Sequence, residues 1–303
     1  GMGVTDVSKL LKDNGVIEQS STFVLYSKIR NKEGKIMEGD YILNSNMSYD
    51  QIILAMKSGN TVKEEIKITF FEGMSAFDIA TLLEEKKVCD RDEFLLAVNT
   101  QSYDYEFENM LPKNELRFRK LEGYLFPDTY DFYVGENVYS VLKKFVKNFQ
   151  SKVFPQLYDE IKNSGMTLDE AVTLASVIQE EASNEKEMYK VSSVFHNRMD
   201  NISAGLPMLQ SDVTKLYIEN DVKPFQTKKN QKMYDAYNTY VCEGLPVGPI
   251  CSPGIHAIKA AIKPDETSYY YFVTDANGKY YYSKTFDEHM SNVRKAGAVK
   301  KAS

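Results

Sequence analysis

The stretch Thr167-Leu168-Asp169-Glu170-Ala171-Val172-Thr173-Leu174-Ala175-Ser176-Val177-Ile178-Gln179-Glu180-Glu181-Ala182 decides how this chain is read. Thr167 and Glu170 make a capping box, in which each side chain satisfies a backbone N–H at a helix start, so a helix is predicted to begin just after Thr167. At about 100° per residue, Ala171, Leu174, Ala175, Val177, Ile178 and Ala182 gather on one face. Glu181 falls inside that apolar stripe while Glu180 points almost opposite, which predicts one enclosed glutamate beside a solvated one. A carboxyl facing apolar groups loses hydration when charged, so its pKa rises and it holds its proton near neutral pH, as a general acid must. The competing explanation is a structural glutamate in a salt bridge at a domain contact.

Around this helix the pattern is one of longer helices, over 138–164, 168–183 and 186–199, followed by loops rich in Gly and Pro. The last segment predicts a β-hairpin: Ser268-Tyr269-Tyr270-Tyr271-Phe272-Val273-Thr274, a turn at Asp275-Ala276-Asn277-Gly278, and Lys279-Tyr280-Tyr281-Tyr282-Ser283. The expected class of this larger part is α+β.

The first hundred residues carry a self-similarity. Val7, Leu10, Leu11, Val16 and Phe23 are matched 72 positions later by Ile79, Leu82, Leu83, Val88 and Leu95. A partial echo of Met47-Ser48 and Ile52 in Met74-Ser75 and Ile79 places Ser48 and Ser75 at helix N-caps. Short strands are expected at Tyr41-Ile42-Leu43 and at Ile66-Lys67-Ile68-Thr69-Phe70. These small αβ units resemble LysM-like modules, which hold glycan chains; a packing platform without binding is the plain alternative. The polar, irregular run 99–120 places the boundary, giving N-terminal LysM-like modules at 1–110 and a larger α+β catalytic domain at 111–303.

With 303 residues, two domains are the starting expectation. A hydrophobic share of 43% with 26% charged residues describes a globular protein, and a net charge of −6 speaks against nucleic acid as partner. The 21 Tyr and 16 Phe without any Trp suit sugar faces as well as ordinary cores. Cys89, Cys242 and Cys251 form neither a disulfide framework nor a zinc spacing, and His196, His256 and His289 sit in no metal motif, so neither metal nor cofactor is expected. No apolar run is long enough to span a membrane and no signal peptide is visible. The opening Gly1-Met2 reads as a scar of expression, which leaves a preceding native segment as an expectation.

Taken in order, Leu121-Glu122-Gly123-Tyr124-Leu125-Phe126-Pro127-Asp128-Thr129-Tyr130, the 174–182 block and Val194-Phe195-His196-Asn197-Arg198-Met199 closely resemble the YceG-like family of endolytic murein transglycosylases, often called MltG. The match continues through Leu209-Gln210-Ser211-Asp212, Tyr237-Asn238-Thr239-Tyr240, Gly244-Leu245-Pro246-Val247-Gly248-Pro249-Ile250 and Ser283-Lys284-Thr285-Phe286-Asp287-Glu288-His289, so it covers nearly the whole chain. Departures are Val213 and Val247 where the family often has Pro, and Tyr280 where it commonly has His.

The resemblance implies that Glu181 is the catalytic acid of a lytic transglycosylase acting on peptidoglycan. It would protonate the oxygen between N-acetylmuramic acid and N-acetylglucosamine, then accept the proton of the muramyl C6 hydroxyl as that hydroxyl closes a 1,6-anhydro end. Gln210, Asp212, Tyr237, Asn238, Thr239 and Tyr240 are expected to line the glycan cleft, with Tyr rings on sugar faces and amides reading N-acetyl or hydroxyl groups. Glu122, Tyr124, Asp128, Asn197 and Arg198 are further substrate-binding candidates; for Glu122 and Asp128 the alternative is loop support, and Asn197 or Arg198 would pair with Glu122 or Asp212, with a purely structural Arg198 as the alternative. A hydrolase needs a second carboxylate, for which Glu122, Asp128 and Asp212 are candidates, so a muramidase-type hydrolase stays open. A non-catalytic glycan-binding scaffold of cell-wall synthesis is the rival of another class. The resemblance further implies a single-pass cell-membrane protein with its catalytic part on the extracytoplasmic side, held by an anchor absent from this sequence, and cooperating with peptidoglycan synthases.

Overall fold

The computed structural model of the protein describes residues 2–30, 36, 37, 39, 41, 43–57, 65–154, 157–200 and 206–297. The chain divides into two compact units, Gly1–Glu64 and Glu65–Ser303.

The first unit holds α1 (Val4–Asp13), α2 (Ser20–Ile29) and α3 (Tyr49–Lys57). They close on Val7, Leu11, Ile17, Phe23, Ile52, Ile53 and Met56. Ser48 caps α3 as expected, its hydroxyl accepting from Gln51 N at 3.3 Å while Gln51 Oε1 accepts from Ser48 N at 2.8 Å. Of the strand expected at 41–43, Ile42 lies outside the described residues, and Tyr41 and Leu43 have no strand structure.

The second unit opens with β1 (Glu65–Thr69), α4 (Ala76–Glu85) and α5 (Arg91–Thr100), passes through a 3-10 turn at Glu106–Met110, and reaches β2 (Thr129–Tyr133). β1 and β2 pair antiparallel, from Glu65↔Tyr133 to Thr69↔Thr129. The boundary expected at 110/111 therefore falls inside one compact unit, because this sheet joins residues on both sides of it; the division lies at Glu64/Glu65. Beneath the sheet Phe70, Phe94, Tyr130 and Phe132 surround the Phe145 ring at centroid distances of 4.6–6.0 Å.

The 72-residue repeat is real at the level of hydrogen bonds. α1 and α4 are both ten residues long, and each ends in a left-handed residue, Gly15 (φ 69°) or Lys87 (φ 58°). In each copy the following valine N–H returns to the last turn: Val16 to Leu11 O and Val88 to Leu83 O, both at 2.9 Å. This is the Schellman closure of a helix C-terminus.

The remaining elements are α6 (Val138–Val153), α7 (Tyr158–Asn163), α8 (Leu168–Glu181), α9 (Glu185–Asp200), α10 (Asp212–Tyr217), α11 (Gln231–Tyr237), α12 (Ile255–Ile262), β3 (Tyr271–Thr274), β4 (Tyr280–Ser283) and α13 (Phe286–Lys295). The single helix expected over 138–164 is two, since Pro155 cannot donate a helical hydrogen bond and restricts the residue before it. The C-terminal hairpin forms as expected, Tyr271↔Ser283 to Thr274↔Tyr280, with Gly278 at φ 77° in its turn. With helices dominant and two small antiparallel sheets, the class is α+β.

α8 is the central strut. Every residue from Ala171 to Ile178 is buried, so the helix is enclosed all round there and not only on its apolar stripe. α12, with its buried Ala257, Ala260 and Ala261, packs closely on it, and α9 packs on it too.

Candidate active site

The capping box forms as read from sequence: Thr167 Oγ1 accepts from Glu170 N at 3.2 Å and Glu170 Oε2 accepts from Thr167 N at 2.8 Å. From that start α8 runs fourteen residues and ends on Glu181. Glu181 is half-buried, so its carboxyl is shielded yet reachable. Burial raises its pKa above the ordinary carboxylate value; a hydrogen bond from Ser211 opposes this and the negative charge of Asp212 adds to it. Its place at the negative end of the helix dipole acts in the raising direction too.

Ser211 Oγ donates to Glu181 Oε1 at 2.5 Å. The loop carrying Ser211 is fixed by two threonines. Thr239 Oγ1 accepts from Ser211 N at 3.0 Å, and Thr214 Oγ1 donates to Ser211 O at 2.9 Å while lying 3.0 Å from Thr239 Oγ1. The backbone on either side of the acid is held by one hydroxyl, that of Tyr280 on β4, which donates to Glu181 O at 2.7 Å and accepts from Ser183 N at 2.9 Å. Neither Ser211 nor Tyr280 was among the site residues expected from sequence. Ser211 lies between Gln210 and Asp212 in the Leu209–Asp212 stretch, and Tyr280 stands where the family commonly has His.

Gln210, Asp212 and Tyr240 gather beside Glu181. Tyr240 OH donates to Asp212 Oδ1 at 3.0 Å, and burial and the charges of Asp212 and Glu181 push the phenol up to about 12. Asp212 has a side chain 71% exposed and an ion pair with Lys215 at 2.7 Å; that contact and the Tyr240 bond hold its carboxyl below its usual value. Asp212 is therefore the one candidate second carboxylate that this structure brings to Glu181. Asn238 is half-buried and its Oδ1 accepts from Tyr240 N at 3.0 Å, so it shapes the turn that presents Tyr240.

Several expected contact residues are enclosed instead. Tyr237 is fully buried, its hydroxyl accepting from Phe118 N at 3.1 Å and its ring against Tyr217. Tyr124 is likewise buried, donating to Asp169 Oδ1 at 2.7 Å beside Arg117. Thr239 is buried as the anchor of the Ser211 loop. Glu122 is 0% exposed: Oε1 accepts from Ala76 N at 2.7 Å, Oε2 from Tyr217 OH at 3.0 Å, and Arg119 Nη1 stands 3.6 Å from Oε2. These four support the site from inside and present no surface to a ligand. Asp128 binds Asn148 at 3.0 Å and pairs with Lys152, both on α6, away from the Glu181 group.

The expected pairing of Asn197 or Arg198 with Glu122 or Asp212 is not made. Asn197 Nδ2 donates to Thr267 O and Tyr269 O, and Arg198 donates to Met208 O, Tyr270 O and Gln210 Oε1. Glu180 is exposed, as expected, although the 70–75 loop passes close to its carboxyl. Gly73 (φ 90°) approaches so closely that a Cβ there would lie 2.6 Å from Glu180 Oε1. That loop is tied down by Gly73 N to Ser252 O and Ser252 N to Met74 O, both 2.9 Å. Among the described residues no group of three or more His, Cys, Asp or Glu is placed to hold a metal ion.

The arrangement is a shielded carboxyl with one neutral hydrogen-bond donor, an exposed tyrosine and an exposed carboxylate beside it, and no cation paired with it among the described residues. Chemically this suits a proton donor that later serves as a base.

Comparison with known proteins agrees. The model of the YceG-like family matches residues 1–295. The endolytic murein transglycosylase of Bacillus subtilis is 31% identical over 298 residues, covering 95% of this chain and 81% of that protein. The protein of the same name from Streptococcus pneumoniae D39 is 26% identical over 316 residues, covering 97% of this chain and 56% of that protein. The crystal structure of a yceG-like protein from Listeria monocytogenes aligns with a TM-score of 0.60 at 29% identity, over 96% of this chain and 95% of that one. A match of this breadth, together with an acid at the end of the buried helix, places the chain in the YceG-like family.

Proposed function

We propose that this chain is an endolytic lytic transglycosylase that cleaves the bond between N-acetylmuramic acid and N-acetylglucosamine in peptidoglycan, with Glu181 as its acid and base. The observation that carries the reading is the Glu181 carboxyl: half-buried, raised in pKa by that burial, and bonded to a neutral serine hydroxyl. Its relatives in Bacillus and Streptococcus carry the name endolytic murein transglycosylase, which supports the substrate class.

In this mechanism protonated Glu181 gives its proton to the bridging oxygen as the bond from muramyl C1 breaks, so the departing sugar leaves with a free hydroxyl. The carboxylate then takes the proton of the muramyl C6 hydroxyl while that oxygen bonds to C1. Glu181 ends protonated, the product carries a 1,6-anhydro end, and no water is consumed. Ser211 holds one carboxyl oxygen and leaves the other for the proton. Tyr240 and Gln210 are the substrate-facing groups of this reading, and to Asp212, which is exposed, the reading assigns stabilisation of the developing positive charge of the sugar.

The strand–helix–helix–strand run β1, α4, α5, β2 is the part of the chain to which the LysM-like, glycan-holding role is assigned here, supported by its repeat in α1 and α2. Among the described residues no helix is long and apolar enough to cross a membrane. A membrane anchor outside this sequence, extracytoplasmic action and cooperation with peptidoglycan synthases belong to the proposal.

Mass spectrometry of purified peptidoglycan digested by the protein and by Glu181→Gln tests it. Anhydromuramyl products from the first and none from the second are expected. Reducing muramyl ends would replace the reading with a hydrolase that uses Asp212, and no products from either would favour a binding protein.

A further inference from the structure

Arg198 is a buried cation whose partners among the described residues are all neutral. Nε donates to Met208 O at 2.9 Å, Nη1 to Tyr270 O at 3.1 Å and Nη2 to Gln210 Oε1 at 2.6 Å. A guanidinium only donates, so the amide atom of Gln210 that faces it must be the oxygen. The NH2 group is thereby turned the other way. Gln210 is exposed, and no group among the described residues accepts from its Nε2.

The backbone of Gln210 is equally constrained. It stands at φ 55°, a region that side-chain-bearing residues seldom occupy, and is pinned there by its own N–H on Thr239 O at 2.9 Å. The next residue is Ser211, bonded to Glu181. A buried, carboxylate-free cation and a left-handed turn are both unfavourable for stability, and strain of this kind concentrates where a side chain must be aimed.

We propose that Gln210 Nε2 donates to the acetamido carbonyl of a sugar bound against Glu181, and that Arg198 is the positioning residue that fixes the amide's polarity. With its oxygen turned to the guanidinium, the amide presents its NH2 donors outward, which suits an acceptor-only carbonyl. The exposed carboxylate of Asp212 next door disfavours an anionic acceptor, leaving the neutral acetamido group that both sugars of the glycan carry. The inference rests on the peptidoglycan reading of the site.

The test is calorimetric titration on the Glu181→Gln background with the hexamer of N-acetylglucosamine and with its de-N-acetylated form. Gln210→Met, which keeps length and loses the donor, is expected to weaken the acetylated hexamer about tenfold and the other form less than twofold. Gln210→Glu sets a carboxylate on the buried guanidinium, so it raises Tm by about 2–4 °C while weakening the acetylated hexamer as Gln210→Met does. Unchanged affinity in Gln210→Met, or an equal loss for both hexamers, overturns the inference and leaves the glycan reading intact. A lowered Tm in Gln210→Glu overturns the role given to Arg198. Absence of binding to either hexamer with Gln210 in place overturns the glycan reading and the inference with it.

Discussion

Ser211→Ala removes the one hydrogen bond made to the Glu181 carboxyl among the described residues and almost nothing else. The Ser211 hydroxyl donates to Glu181, whereas its backbone N–H and C=O are held separately by Thr239 and Thr214. The loop should therefore keep its path, and Tm should move by no more than about 2–4 °C. Catalysis should suffer more, because the bond strengthens when Glu181 becomes the carboxylate that takes the C6 proton. A hydrogen bond to a charged acceptor contributes about 1.5–3 kcal/mol, so a tenfold to hundredfold fall in kcat is expected. The pH dependence has a definite sign. Burial raises the Glu181 pKa and Ser211 lowers it, so losing the serine moves it further up. Since the acid must be protonated to act, the rate falls as pH rises through that pKa, and this falling limb moves to higher pH in the variant. The assay is the initial rate of anhydromuramyl ends by mass spectrometry across the pH range in which both proteins stay folded. A limb that stays in place or moves to lower pH, with kcat unchanged, would refute the role given to Ser211.

Tyr280→Phe deletes the hydroxyl bonded to Glu181 O and Ser183 N, and is expected to lower kcat about tenfold with KM little changed; equal loss in both parameters would point to a collapsed cleft instead. Burial lifts the Glu122 carboxyl from 4.5 to about 7, against the pull of Arg119, so the stability it contributes is complete below about 4.5 and is lost as pH rises through about 7. Glu122→Gln has no proton to lose there, so its Tm should vary less with pH across that window than that of the parent; parallel curves would remove Glu122 as the source. Gly123→Ala places a Cβ 2.5 Å from Pro249 Cβ at a backbone φ of 85°, and thermal or urea unfolding should show a loss of about 2 kcal/mol or more.

What was readable from the residues was local or periodic. The Thr167–Glu170 box, the α1/α4 repeat and the Tyr-rich hairpin all arise from contacts within a few positions or from a recurring pattern, and each forms. The direction of Glu181 followed from helical geometry alone. The neighbours that give it chemistry come from far along the chain: Ser211 is 30 residues away and Tyr280 nearly a hundred. Glu180 is exposed as the helical wheel predicts, but the wheel cannot show that the Gly73 loop comes up against its carboxyl. Tyr237 and Thr239 read as cleft residues, and Glu122 as either a substrate contact or a loop support, because polar and aromatic residues in a family-matching block suggest contact with substrate. Their polar atoms are instead satisfied internally, as burial demands.

The acid stands at the last position of a helix whose middle is locked on every side, and the box at Thr167 acts as the zero mark of a ruler. Each residue along that ruler turns the terminal side chain by about 100° and advances it by about 1.5 Å. One residue inserted or deleted between Leu168 and Gln179 would leave every local preference satisfied and swing the carboxyl away from Ser211. Length itself is thus a catalytic specification in this chain: the tally from cap to acid can vary less freely than the identity of most of the residues counted.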